Sequence, residues 1–158
     1  MTEKEFVRRA EAMQSRLYRM AYVYFGSESI AKDVLDETIY RALKGYRKLK
    51  KDEVFEGWLT RILLNECHRE WNYQKKKMSL EDVPLEQQSE EDAFAHLPLK
   101  LAVRSLPEEL KVVVLLRFFE GKSIQETAAF LGIPEGTVST RQRKALGLLK
   151  RDLGEVEP

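Results

Sequence analysis

From Leu17 to Trp71 the apolar residues of this chain recur every three or four positions, and that spacing excludes most fold classes. Leu17, Met20, Ala21 and Tyr24 predict one helix, ended by Gly26 and Ser27. Ala31, Leu35, Ile39, Ala42, Leu43 and Tyr46 predict a second, and Phe55, Leu59, Ile62, Leu63, Cys67 and Trp71 a third. An amphipathic helix leaves its apolar stripe in water unless another element covers it, so three in succession call for a bundle. No stretch sustains the alternation of a strand, although Val112 to Leu116 is β-branched enough to be ambiguous locally. The expected fold class is all-α.

Helical periodicity fades between about Lys75 and His96, where Ser79, Pro84, Gln87 and Gln88 stand among acidic residues. It resumes at Leu106-Pro107-Glu108-Glu109, with proline suited to a first turn and carboxylates near the positive end of a helix. Val112, Val113, Leu116 and Phe119 are the expected buried side of that helix, and Gly121 is its expected stop. The expected organisation is an amino-terminal helical bundle at 1–75, a flexible acidic linker at 76–96 and a carboxy-terminal helix-turn-helix domain at 97–158.

The formal net charge of +1 conceals a strong segregation. Arg41, Lys44, Arg47, Lys48, Lys50 and Lys51 form a basic zone without acids, and Arg141, Arg143, Lys144, Lys150 and Arg151 form another. Between them Glu81, Asp82, Glu86, Glu90, Glu91 and Asp92 stand without a cation. Two basic zones divided by an acidic one suit a polyanion partner better than the total suggests.

Enzyme chemistry finds little support. Cys67 is the only cysteine, and adjacent helix positions point about 100° apart, so it does not face His68 as a nucleophile would face its base. There is no glycine-rich phosphate loop, no His-Glu-x-x-His motif and no paired-cysteine spacing. Cys67 reads as a small core residue. No catalytic residue, metal, cofactor or small-molecule substrate is expected. The amino terminus lacks a signal-peptide pattern, and the apolar run Val112–Leu116 is far too short to span a bilayer, which together predict a cytoplasmic protein.

The most informative passage runs from Ser123 to Leu149. Ser123 with Glu126 forms a capping box that begins a short helix, and Ala128 and Ala129 allow a close helix crossing. Gly132 suits a left-handed stop, Ile133 can plug the corner and Pro134 can begin the next helix. Two short helices joined so tightly make a helix-turn-helix. The second would face inward with Val138, Ala145 and Leu149, leaving Thr137, Thr140, Arg141 and Lys144 on the opposite side. Hydroxyl and guanidinium groups on an exposed helix can read base edges and hold phosphates.

A carboxy-terminal DNA reader tethered to an amino-terminal bundle resembles the bacterial sigma factors of the extracytoplasmic-function group. Asp33-Val-Leu-Asp-Glu-Thr-Ile-Tyr-Arg-Ala-Leu43 is similar to the family's polymerase-binding helix, and Phe55-Glu-Gly-Trp-Leu-Thr-Arg-Ile-Leu-Leu-Asn65 to its promoter-melting segment. Leu106–Glu109 and Glu135-Gly-Thr-Val-Ser-Thr-Arg141 are similar to its fourth conserved region. The resemblance implies three partners: core RNA polymerase, promoter DNA and an anti-sigma factor, often membrane-anchored. It implies polymerase docking through Asp33, Asp36, Glu37 and Arg41. It implies capture of the −10 strand by the span around Tyr46, with Lys48, Lys50, Lys51, Arg61, Asn65 and Arg69, and reading of the −35 duplex by Glu135, Thr137, Ser139, Thr140, Arg141, Arg143 and Lys144. Phe55, Trp58 and Trp71 could stack on bases, but their helical spacing favours the core. The acidic linker could mimic a nucleic-acid backbone inside the polymerase or serve only as a tether.

The chain departs from the family pattern at Gln142, Ser139 and Arg69-Glu70, so promoter sequence does not transfer by analogy. Two other readings stay open: a helix-turn-helix regulator that acts without polymerase, and a protein-interaction module that needs no DNA.

Overall fold

The computed structural model describes residues 1–80 and 97–153, which form seven helices and two compact units, one on either side of the intervening span. Most of the segment expected to be an acidic linker lies outside the described residues. No strand occurs among the described residues, Val112–Leu116 included.

The first unit contains α1 (Glu3–Phe25), α2 (Glu28–Gly45) and α3 (Phe55–Leu80). Thr2 and Glu5 close a capping box at the start of α1, and Gly26 stops it with φ at 69°, a left-handed conformation that glycine adopts without a Cβ penalty. Ser27 follows at once as the N-cap of α2, its hydroxyl accepting from the Ile30 amide, so the chain reverses within two residues. Two short 3₁₀ turns, Tyr46–Lys48 and Asp52–Val54, then lead into α3. The third helix continues beyond Lys75, where apolar periodicity ends. Lys75, Lys76 and Lys77 are good helix formers, and their charge suits the negative end of a helix.

The three stripes meet in one core that includes Leu17, Met20 and Tyr24 of α1, Ala31 and Ala42 of α2, and Phe55, Leu59, Leu63 and Cys67 of α3. Two aromatic groups reinforce it. Phe6 stacks on Tyr46 with centroids 4.6 Å apart and meets Phe55 edge-on at 5.9 Å; Trp71 packs against Tyr24 and Phe25. The stripe of α2 is rotated from its expected position. Val34, Leu35 and Thr38 are buried, Ile39 is half-buried and Leu43 is exposed. Thr38 tolerates burial because its hydroxyl donates to the Val34 carbonyl at 2.7 Å.

The second unit contains α4 (Leu97–Arg104), α5 (Glu108–Val114), α6 (Ile124–Leu131) and α7 (Glu135–Asp152). The helix α5 starts where Leu106–Glu109 predicts, with Pro107 at the N-cap, one position before the first turn, but its buried side differs. Val113 and Leu116 are buried, Val112 is half-buried, and Phe119 is exposed alongside Phe118. Residues Leu115–Phe119 form a π turn, in which the Glu120 amide donates to the Leu115 carbonyl five residues back. The wider turn rotates less per residue and so retards the helical phase, and the position a regular helix would bury swings outward. Gly121 then ends the segment with φ at 70°.

The helix-turn-helix forms where the sequence places it. Ser123 caps α6 reciprocally with Glu126: the Glu126 amide donates to the Ser123 hydroxyl at 3.0 Å, and the Ser123 amide donates to the Glu126 carboxylate at 2.9 Å. Gly132 ends α6 with φ at 69°, and the Ile133 amide reaches back to the Ala128 carbonyl. Ile133 packs on the Val113–Ala128–Val138 core, so it plugs the corner. Ala128 sits in the crossing, whereas Ala129 faces solvent.

This cap gives a first prediction. Ser123→Ala should cost about 1 kcal/mol, read as a lower melting temperature. The backbone hydrogen bond from Ser123, then that residue's hydroxyl, hold the Glu126 carboxyl below its ordinary pKa. A depressed carboxylate pKa stabilises the fold above its unfolded value, about 4.3 for Glu, and loses that contribution as pH falls toward the lower native value. The stability gap between wild type and Glu126→Gln should therefore narrow below about pH 4.3. A gap that widens in acid would contradict this assignment.

Candidate nucleic-acid interface

On α7 the inward row is Val138, Ala145 and Leu149, all buried. Glu135, Thr140, Arg143 and Lys144 are exposed, while Thr137, Ser139 and Arg141 are half-buried. Thr137, Thr140, Arg141 and Lys144 do not face open solvent alone. They form one wall of a cleft of about 600 Å³ whose other wall is Pro107, Glu109 and Leu110 at the start of α5. The Arg141 guanidinium lies 3.7 Å from the exposed Glu109 carboxylate. A partly exposed pair of this length is weak, so a phosphate could displace the carboxylate.

Gln142, a departure from the family pattern, has a structural task. It accepts from the Arg117 Nε at 2.7 Å, and the same guanidinium donates to the Lys122 carbonyl. This ties α7 to the end of the π turn. Nothing in the local sequence pairs residues 25 positions apart in this way.

In the first unit, Arg61, Asn65 and Arg69 are all exposed on α3, and their spacing of four places them on one face. Lys48, Lys50 and Lys51 are exposed in the connection before α3, which is held at its ends by Tyr46 and Phe55. Tyr46 is itself a core residue, 3% exposed beneath Phe6, with its hydroxyl accepting from Arg47 Nε. Phe55 is fully buried, and Trp58 and Trp71 are half-buried against other rings. Asp33, Asp36 and Arg41 are exposed along α2, and Glu37 is half-buried between them.

Arg41 and Arg69, expected at different surfaces, meet at a residue that sequence reasoning overlooked. Glu66 projects from α3 with its side chain 7% exposed, and its Oε1 lies 2.6 Å from Arg41 Nε and 3.2 Å from Arg69 Nη1. Arg41 Nε also lies 3.0 Å from Glu37, the pair anticipated from i,i+4 spacing. The available signal was an acid one residue before Cys67 in an otherwise apolar stripe. Such an acid needs a cationic partner, and the sequence does not say which.

Among the described residues, no three His, Cys, Asp or Glu side chains converge as metal ligands, and no helix is long and apolar enough to cross a membrane. Residues 10–77 match the family model for sigma-70 region 2, and residues 96–149 match that for sigma-70 region 4. The chain is 30% identical over 138 residues to the RNA polymerase sigma factor SigV of Bacillus subtilis (strain 168), covering 86% of this chain and 83% of that protein. It is 31% identical over 142 residues to the ECF RNA polymerase sigma factor SigM of Mycobacterium tuberculosis (strain ATCC 25618 / H37Rv), covering 88% and 72%. The chain belongs to the extracytoplasmic-function group of sigma-70 factors.

This sigma factor shares its fold with the sigma factor RpoE of Bartonella quintana, solved in complex with the anti-sigma factor NepR. That likeness has a TM-score of 0.79 at 20% identity and covers 98% and 99% of the two chains. The candidate residues from Asp33 to Arg69 all fall within the region 2 match, and those from Glu135 to Lys144 within the region 4 match.

Proposed function

We propose that this sigma factor joins core RNA polymerase and directs it to promoters, its first unit capturing the −10 strand and its second reading the −35 duplex. The observation that carries the reading is an exposed basic helix, α7, on a complete helix-turn-helix inside a region 4 match that follows a region 2 match. Thr137, Ser139 and Thr140 supply short polar groups for base edges, while Arg141, Arg143 and Lys144 supply cations for phosphates. Glu135 stands in the first turn of α7, where its carboxylate could accept from an exocyclic amine of cytosine.

On the first unit, Asp33, Asp36 and Glu37 form an acidic docking face for a basic polymerase surface, and Arg41 orients that face through Glu37. Lys48, Lys50 and Lys51 follow the backbone of a separated strand, with Arg61, Asn65 and Arg69 contacting it along α3. The role is one of binding and orientation in the cytoplasm; catalysis belongs to the polymerase. An anti-sigma factor is the expected inhibitor, and a membrane-anchored one would hold the chain at the membrane until released.

Adding the purified chain to core polymerase on genomic DNA tests this reading. Transcripts should begin at a defined set of positions that share two upstream elements. Duplex binding without altered start sites would favour a regulator independent of polymerase. If the chain adds no salt-sensitive binding to any promoter-like fragment beyond that of core polymerase alone, a protein-interaction module is favoured.

A further inference from the structure

Glu66 is a carboxylate with little access to water, placed between the fully buried Leu63 and Cys67 on α3. A buried carboxylate persists where cations and hydrogen bonds replace its lost hydration. Here a single oxygen, Oε1, takes both Arg41 from α2 and Arg69 from one turn along α3. The two arginines differ from it in exposure: their side chains are 44% and 59% accessible. Glu66 is therefore the fixed point and the guanidinium groups are the outer ends. Arg69 shares a helix face with Asn65 and is engaged through Nη1, so most of its side chain still faces solvent.

An untethered arginine loses much rotamer freedom when it grips a phosphate. One already held through a single nitrogen loses less, because its plane is set before the ligand arrives. Arg41 completes the arrangement by bracing Glu66 from the neighbouring helix, which keeps the carboxylate from following Arg69 outward.

We propose that Glu66 is a positioning residue for single-strand capture, holding the Arg69 guanidinium beside Asn65 so that it meets a phosphate of the separated strand. This rests on the reading of the first unit as the −10 binding lobe. Glu66 does not touch the strand; it acts through Arg69.

The test is a double-mutant cycle in reconstituted holoenzyme. Core polymerase saturated with full-length chain is placed on a promoter fragment identified by wild-type start-site mapping, and unpaired thymines are read by permanganate. Glu66→Gln, which keeps the side-chain shape and removes the charge, should lower strand opening about tenfold, equivalent to about 1.4 kcal/mol. Arg69→Ala should lower it similarly, and the double variant should be no worse than Arg69→Ala alone. Thermal melting of each variant reads any structural contribution separately. Losses that multiply across the two sites, or a Glu66→Gln protein that opens promoters as wild type does, would overturn the proposal. If wild-type chain selects no start sites with core polymerase, the functional reading fails first, and the two failures are distinguishable.

Discussion

Phe55→Ala should destabilise the first unit by about 3–5 kcal/mol, a large fraction of the stability of a unit this size. Phe55 is fully buried at the first residue of α3. Its ring meets Phe6 edge-on, lies 5.8 Å from Trp58 and carries the Arg9 guanidinium 4.6 Å from its centroid. Removing it takes an edge-to-face pair and a cation–π interaction together with the buried area. At about 4–8 °C per kcal/mol for a unit of this size, the melting temperature of the first unit should drop by at least about 12 °C. The consequence extends to function, because Phe6 also stacks on Tyr46, and Tyr46 and Phe55 bracket the connection that carries Lys48, Lys50 and Lys51. Strand capture should weaken at temperatures where the rest of the unit is still folded. Calorimetry on the full chain checks the first expectation, and an unchanged first-unit transition would show that the aromatic cluster is not a principal source of stability.

Replacing Arg143 and Lys144 together with alanine should nearly abolish specific duplex binding by the holoenzyme while leaving α7 folded. Both side chains are exposed, and alanine is the best helix former, so the inward row Val138, Ala145 and Leu149 is undisturbed. Charge-assisted hydrogen bonds contribute about 1.5–3 kcal/mol each, so removing two should lower affinity about 100-fold or more. Salt dependence distinguishes phosphate holding from base reading. For every phosphate that the variant no longer neutralises, the slope of log affinity against log salt should flatten by about 0.9. A fall in affinity with an unchanged slope would move these residues from phosphate holding to base recognition. An affinity that does not fall would remove this end of α7 from the interface.

The parts of the fold legible in the sequence are those decided within a few residues. The Ser123–Glu126 cap, the left-handed stops at Gly26, Gly121 and Gly132 and the inward row of α7 are local, set by hydrogen bonds and helical spacing over one or two turns. The burial of Cys67 and Phe55 was equally legible because both lie at the centre of an apolar stripe, where small rotations do not matter. Leu43 and Thr38 lie at the edges of theirs, and there packing against α1 and α3 decided which was covered. Phe119 turned outward because one π turn changed the phase of the helix, and hydrophobic spacing carries no mark of such a turn.

The candidate site divides along the same line. Amino-acid order alone determined that two helical units carry basic segments, that one ends in a helix-turn-helix, and which row of α7 is buried. Only tertiary structure decided that Arg141 lies beside Glu109, that Gln142 holds Arg117, and that Arg41 and Arg69 share the oxygen of Glu66. The physical reason is range. A helix and its caps are closed by backbone groups at most a few residues apart, whereas the partner of a long charged side chain depends on which helix the chain later brings within about 3–4 Å.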